Sequence, residues 1–207
     1  TQELLAHLAP GAAPSSLNPA WGALVWLFAR LPGMPVAGWT GAFSACCGAA
    51  AVGLLGRLMV RVGFVIRNEP GRESFNRQAQ ARRLSGLVAG LYLASSIPFW
   101  TASTRSLPGT FHILLLLATA WMFSQYQHWG RRRHLFLTGL FFGFGLTEFP
   151  TFAFYLPAFF FLMAREMFRW RALASWRAQM AIWGGPGLGL LPDPINAYVL
   201  YREGVVT

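Results

Sequence analysis

The longest apolar stretch runs from Leu135 to Ala164 and is interrupted by one carboxylate, Glu148, with Pro150 two residues later. As a single α-helix, a run of roughly thirty residues would be about 45 Å long, whereas the hydrocarbon core of a bilayer is about 30 Å thick. A single span would also place Glu148 near the bilayer centre, where a charge costs about 3 kcal/mol or more. The pattern therefore favours two short spans, 135–147 and 151–164, that turn near Glu148 at one membrane face.

Other apolar runs extend this pattern to an all-α polytopic membrane protein. Residues 36–60 are rich in glycine and alanine, which allow neighbouring helices to approach closely. Residues 179–201 contain several glycines and prolines, which predict a kinked or broken helix. We predict about six membrane spans within a single transmembrane domain, 1–207. They are 36–60, 84–102, 110–127, 135–147, 151–164 and 179–201.

The first part of the chain, 1–35, contains no run long enough to span. Residues 19–31 are apolar and carry Trp21 and Trp26, but the segment is too short to cross a bilayer. It is typical of a short helix that lies in the membrane interface, ended here by Pro32 and Pro35. We assign 1–35 to an outer loop and an interfacial helix. Because the sequence starts without Met, we expect it to be part of a longer chain.

The basic residues indicate which ends of the spans share a side. All 17 are arginine, and most fall in three blocks, 57–83, 131–133 and 165–177. The first two blocks are separated by two predicted spans, so they share a side, and the positive-inside rule makes that side cytoplasmic. The third block lies on the cytoplasmic side only if 135–164 forms a hairpin of two spans. Because arginine-rich loops are expected on that side, the third block supports the hairpin. With this topology, the outer side contains Glu3, Glu148, Asp193 and Arg105.

The composition agrees with a membrane protein and argues against nucleic-acid binding. The chain is 55% hydrophobic and 12% charged, whereas soluble domains carry about 25% charged residues. The net charge of +10 lies in loop-like blocks rather than on one basic face. Cys46 and Cys47 are adjacent, and the four histidines lack ligand spacing on one helix face, so we predict neither a disulfide framework nor a metal site.

The outer acidic residues and Arg105 are the candidates for chemistry, because charges at membrane depth usually have a role or a partner. Structural roles remain open for each. Glu148 and Arg105 could form a mutual salt bridge or occupy water-facing loops, Asp193 could cap a broken helix, and Glu3 could simply be solvated.

The order of short motifs carries a family resemblance. Leu17-Asn18-Pro19-Ala20-Trp21 opens the short helix, and Pro98-Phe99-Trp100 precedes Thr104-Arg105. Gly145-Leu146-Thr147-Glu148-Phe149-Pro150-Thr151 opens the second half of the hairpin. This succession resembles bacterial multi-pass membrane proteins related to protein O-mannosyltransferases, in the GT-C class of glycosyltransferases. The chain would be a divergent member or a fragment of one.

The resemblance implies an enzyme that transfers a sugar from a polyprenyl-phosphate donor at the outer face of the bacterial cytoplasmic (inner) membrane. It implies Glu3 as the general base that deprotonates the acceptor hydroxyl. Arg105 would contact the donor phosphate, and Asn18, Trp100, Glu148 and Asp193 would line the donor site. The expected partners are membrane lipid and the lipid-linked sugar, with other membrane proteins as further candidates; no cofactor besides that donor is implied.

Several positions depart from the family pattern. Relatives typically read Asp-Ser-Gly-Glu where this chain has Thr1-Gln2-Glu3, and His-Pro-Pro-Gly where it has Leu17-Asn18-Pro19-Ala20. The alternative is therefore a non-catalytic membrane scaffold or complex subunit that packs through its glycine-rich helices. A transporter is a third reading, disfavoured because no internal repeat is visible.

Overall fold

The computed structural model of this protein describes residues 18–61, 72–105, 108–169 and 175–202. The described residues are mostly helical and form no strand, as the apolar pattern predicts. The helices are α1 (Pro19–Phe28), α2 (Val36–Arg61), α3 (Arg72–Ser95), α4 (Ile97–Thr104), α5 (Gly109–Trp129), α6 (Arg132–Glu148), α7 (Leu156–Arg169), α8 (Trp176–Gly189) and α9 (Pro192–Arg202). A 3₁₀ helix, Pro150–Tyr155, joins α6 to α7.

Two helical segments of the described part are long and apolar enough to cross a membrane. They are α2 and the continuous run Pro150–Arg169. A third is obtained if Ala79–Ser95 and Ile97–Thr104, bent by 64° at the break between them, count as one span. The larger number of about six spans remains a prediction.

The chain turns at Phe149, where the sequence predicts a hairpin. Phe149 is extended (φ −143°, ψ 103°) and ends α6, and Pro150 cannot donate a backbone hydrogen bond to continue it. The ring of Phe142 in α6 stacks on Phe159 in α7 with centroids 3.8 Å apart, and Leu135 and Met163 belong to one buried cluster. Contacts that pair earlier residues of α6 with later residues of α7 mean that the two helices run antiparallel.

Helix boundaries elsewhere differ from the predicted spans at prolines and glycines. The predicted segment 84–102 bends at Ser96, two residues before Pro98, and α3 already begins at Arg72 within the first arginine block. The connection between the predicted spans 110–127 and 135–147 is only Gly130 and Arg131, because Gly130 takes a left-handed conformation (φ 60°) that ends α5 abruptly. The predicted break in 179–201 is present at Leu190 and Leu191, between α8 and α9.

Glycines bring α6 and α8 into backbone contact, and the two helices run in parallel. A Cβ atom added at Gly143 would lie 2.6 Å from the carbonyl oxygen of Pro186, and one added at Gly185 or Gly189 would collide with backbone atoms of α6. On the other side of the bundle, a Cβ at Gly86 would lie 2.6 Å from the carbonyl oxygen of Gly56, which brings α3 against α2. The approach of α2 to α3 is the kind that the small residues of 36–60 predict, whereas the sequence pattern identifies the glycines of α8 only as helix breakers.

The helices place two groups of residues at opposite ends of the bundle. We call one the Glu148 end, which holds the start of α1, α2 and α5 and the end of α4 and α6. We call the other the arginine end, which holds Arg57, Arg61 and Arg133 with the end of α5 and the start of α6. Large apolar side chains are exposed around the sides of α3, α7 and α8, and such a broad apolar surface is what a lipid-facing wall requires.

Candidate functional site

The carboxylate of Glu148 is the centre of the Glu148 end. Glu148 is the last residue of α6 and is fully buried (0% exposed). Its Oε2 accepts a hydrogen bond from the backbone N–H of Trp21 at 3.1 Å, and its Oε1 accepts one from the N–H of Ala20. The side chain thereby satisfies two donors in the first turn of α1, which an α-helix leaves without intrahelical partners.

Helix electrostatics explain this arrangement. A carboxylate at the last residue of α6 faces the negative end of that helix dipole, which is unfavourable by itself. The first turn of α1 supplies the opposite partial charge together with hydrogen-bond donors, so it makes burial of the negative side chain possible. Asn18, a site residue implied by the resemblance, lies directly at this junction, where its carbonyl accepts the N–H of Gly22 at 2.8 Å.

Aromatic rings close around the junction. The Trp21 indole lies 6.0 Å from the ring of Phe43 in α2 and 6.3 Å from the ring of Phe111 in α5, measured between centroids. The His112 imidazole stacks on Phe149 at 4.7 Å with an interplanar angle of 20°. Since Phe149 directly follows Glu148, the stack brings a histidine to the same end of the bundle as the carboxylate.

A buried hydroxyl pair joins the neighbouring helices at this end. The Ser44 and Thr110 hydroxyl groups are 2.8 Å apart, and Ser44 also donates to the carbonyl of Ala102 at 2.9 Å. These contacts tie α2, α5 and α4 together. They thereby hold the end of α4, which follows Trp100 and leads to Arg105, in a defined position.

A groove borders Trp100 at the Glu148 end. It has a volume of about 580 Å³ and lies between α2 and the α3–α4 bend. Its floor is formed by small residues of α2, including Gly41, Ala45 and Gly48, and its rim by Trp100, Ser103 and Thr104. Arg105 is exposed and directly follows the rim residue Thr104 in sequence.

The structure brings together part of the set that the resemblance implies. Asn18 and Glu148 meet at the start of α1. Asp193 is exposed in the first turn of α9, and α9 contacts both α1 and α6. Trp100 and Arg105 lie at the same end but across α2. Glu3, the predicted base, lies outside the described residues.

The salt bridge considered between Glu148 and Arg105 is not present among the ion pairs of the described residues. Glu148 is buried against α1, whereas Arg105 is exposed. Asp193 lies inside the first turn of α9 rather than at the cap position before it. A negative side chain there still complements the helix dipole.

Sequence reasoning missed two buried groups. The first is His112, set aside because it lacks ligand spacing; its Nε2 is buried and has no hydrogen-bond partner among the described residues. The second is Glu166 in α7, 1% exposed near the arginine end, whose Oε1 lies 3.5 Å from Gln127 Nε2 and whose Oε2 lies 3.4 Å from Arg169 Nη1. A lone carboxylate in an apolar helix is the sequence signal that could have singled out Glu166.

The chain matches a known protein family. A family model described as the protein O-mannosyl-transferase TMEM260 N-terminal domain matches residues 9–172. The match includes α1 to α7, and with them Asn18, Trp100, Arg105 and Glu148. No curated protein and no solved structure gives a significant match to the chain.

Proposed function

The chain belongs to the TMEM260 N-terminal domain family of protein O-mannosyl-transferases, and from this premise we propose that it transfers a sugar, from a polyprenyl-phosphate donor, to an acceptor at the outer face of a bacterial cytoplasmic membrane. Family membership supports a glycosyltransferase-like role. The donor, the side of the membrane and the bacterial GT-C relationship are part of the proposal.

The observation that carries the proposal is the groove beside Trp100, whose lining residue Thr104 is followed directly by the exposed Arg105. A polyprenyl-phosphate sugar has an apolar chain and a charged phosphate. The groove of about 580 Å³ offers a small-residue floor of α2 for the first isoprene units. The guanidinium of Arg105 is suited to pair with phosphate oxygens. Chain and headgroup are thus matched by adjacent features of one end of the bundle.

The reaction needs a base, and in the proposal this is Glu3. Its carboxylate accepts the proton of the acceptor hydroxyl while the hydroxyl oxygen forms a bond to the anomeric carbon. The bond between that carbon and the phosphate oxygen breaks, and polyprenyl phosphate leaves with its negative charge balanced by Arg105. Glu148 acts as a positioning residue, because it holds the start of α1, where the leader that carries Glu3 joins the described structure.

The test is a transfer assay with polyprenyl-phosphate mannose and the purified chain in detergent. Glu3→Gln is expected to lower the transfer rate at least about 100-fold, the usual contribution of a general base. Arg105→Gln is expected to raise the donor KM about tenfold or more, as loss of a charged hydrogen bond does. Arg177→Gln is the matched control, because Arg177 is exposed beyond the arginine end. Full activity in both test variants would overturn the assignment.

The scaffold alternative rests on another observation. Ala42, Ala45 and Ala49 border the same groove, and such a small-residue face of α2 could receive a helix of another membrane protein instead of a lipid. The assay separates the two readings. A folded protein with no transfer, and with a stable complex that Ala45→Leu disrupts, would favour the scaffold.

A further inference from the structure

A second cavity lies at the arginine end, away from the Glu148 end. We call it the arginine cavity. It has a volume of about 810 Å³ and lies between α2, α3 and α5. Its lining consists of Gly53, Gly56, Arg57, Val60, Arg61, Arg82, Gly86, Leu87, Trp121 and His128.

The charge of the arginine cavity is positive and unbalanced within the described residues. Three guanidinium groups line it, and none of the lining residues is acidic. The Nε of Arg82 is buried and has no hydrogen-bond partner in the described part of the chain. The guanidinium of Arg61 lies 5.3 Å from the centroid of the Trp121 ring, which orients it without neutralising it. A buried, unpartnered donor on Arg82, with two further arginines beside it, is suited to bind an anion.

Helix packing explains why the arginines converge. The backbone contact between Gly56 and Gly86, both lining residues, brings α2 and α3 together at the cavity wall. Arg57 and Arg61 are four residues apart and therefore share a face of α2. Arg82 precedes Gly86 by four residues and so lies on the face of α3 that meets α2. The three side chains are thus brought around one opening by the glycine contact.

An apolar surface adjoins this opening. Leu87 is both exposed and part of the lining. Leu84, Val88 and Leu91 of the same helix are also exposed and continue the apolar surface along α3. A ligand that fits has an anionic group at the cavity and hydrocarbon along α3. Free phosphate would use only the first of these features.

We propose that the arginine cavity binds the phosphate headgroup of an anionic phospholipid from the adjoining leaflet, with the acyl chains lying along α3. Basic pockets between transmembrane helices commonly take such headgroups. The site is separate from the groove beside Trp100, and the proposal does not depend on transferase activity.

The experiment measures lipid binding to the purified, delipidated protein by native mass spectrometry. The probes are phosphatidylglycerol, phosphatidylcholine and inorganic phosphate. The test variant is Arg57→Gln/Arg61→Gln/Arg82→Gln. The control, Arg132→Gln/Arg165→Gln/Arg177→Gln, removes the same charge from exposed positions outside the cavity. Each arginine near an anionic headgroup contributes about 1 kcal/mol to binding, and about 1.4 kcal/mol corresponds to a tenfold change in affinity. The test variant should therefore bind phosphatidylglycerol on the order of 100-fold more weakly.

A second pair of variants guards against misfolding of the triple variant. Leu87→Glu puts a carboxylate at the cavity wall, and Met180→Glu puts the same charge on an equally exposed apolar position of α8, outside the lining and away from the apolar surface of α3. We expect only Leu87→Glu to weaken phosphatidylglycerol binding. Equal losses in test and control variants, or equal binding of phosphatidylcholine by the native protein, would overturn the proposal. If inorganic phosphate at a comparable concentration displaced phosphatidylglycerol, the ligand would be free phosphate and not a phospholipid.

Discussion

The side chain of Glu148 accepts the backbone N–H of Trp21 at 3.1 Å, across 127 positions of sequence. This bond, with the neighbouring one from Ala20, fixes the short helix α1 to the turn between α6 and α7. The two partners are individually ordinary: a carboxylate at a helix end and a backbone donor in a first turn. Together they anchor α1 to the bundle.

Replacing Glu148 should therefore loosen α1. Glu148→Gln keeps the size of the side chain but removes its charge, and its amide NH₂ group cannot accept a hydrogen bond from a backbone N–H. We therefore expect the free energy of unfolding to fall by about 1.5–3 kcal/mol, the usual contribution of a hydrogen bond to a charged group. Thermal unfolding in detergent measures it. Asp193→Asn removes a nearby but exposed carboxylate and should change stability by no more than about 0.5 kcal/mol. Equal effects of the two variants would contradict a structural role for the Glu148 carboxylate.

The α6–α8 contact should be sensitive to a single methyl group. Gly185→Ala places a Cβ against the backbone of Phe136 and Leu140, and since neither can move independently of α6, we expect destabilisation by about 1–3 kcal/mol or more. A Cβ at Gly187, two residues later in the same helix, would meet no atom of a neighbouring helix within 4 Å. Gly187→Ala should be neutral or stabilising by up to about 1 kcal/mol. Chemical denaturation of the two variants measures their free energies of unfolding. Equal losses in Gly185→Ala and Gly187→Ala would contradict the close packing of α6 against α8.

His134 should make the protein less stable in mild acid. Burial lowers the pKa of His134, and the nearby Arg133, Arg131 and Arg61 lower it further; the Nδ1 atom is also buried without a hydrogen-bond partner among the described residues. A depressed pKa means that the unfolded chain takes up the proton first. The free energy of unfolding should therefore fall as the pH drops below about 6.5.

The measurement for His134 is the melting temperature at pH 7.5 and at pH 5.5. The native protein should lose more stability between these values than His134→Gln, which cannot titrate. His128→Gln is the matched control, because His128 is an exposed histidine at the same end. If His134→Gln and the native protein lose the same amount, protonation of His134 contributes nothing to the acid sensitivity.

Part of the site was predictable because it depends on local chemistry. The turn near Glu148 follows from the length of the apolar run and from Pro150, and the short helix after Asn18 follows from Pro19 and a thirteen-residue apolar segment. Glu148 was correctly singled out as a residue needing a partner, since a carboxylate among apolar side chains is expensive to bury. Its partner was not predictable, because backbone N–H groups carry no residue-specific signal.

The sequence by itself determined that the described residues are largely helical, that the chain turns near Glu148, that 179–201 is kinked or broken, and that the glycine-rich helix α2 packs closely against a neighbour. Apolar periodicity, proline and glycine act over a few residues and can be read directly. Only the tertiary structure decided that Glu148 meets α1 rather than Arg105, that Ser44 and Thr110 join α2 to α5, and that three arginines surround one cavity. Those relationships depend on which helices pack together, and the free energy of that packing is spread over many apolar contacts that no single motif records.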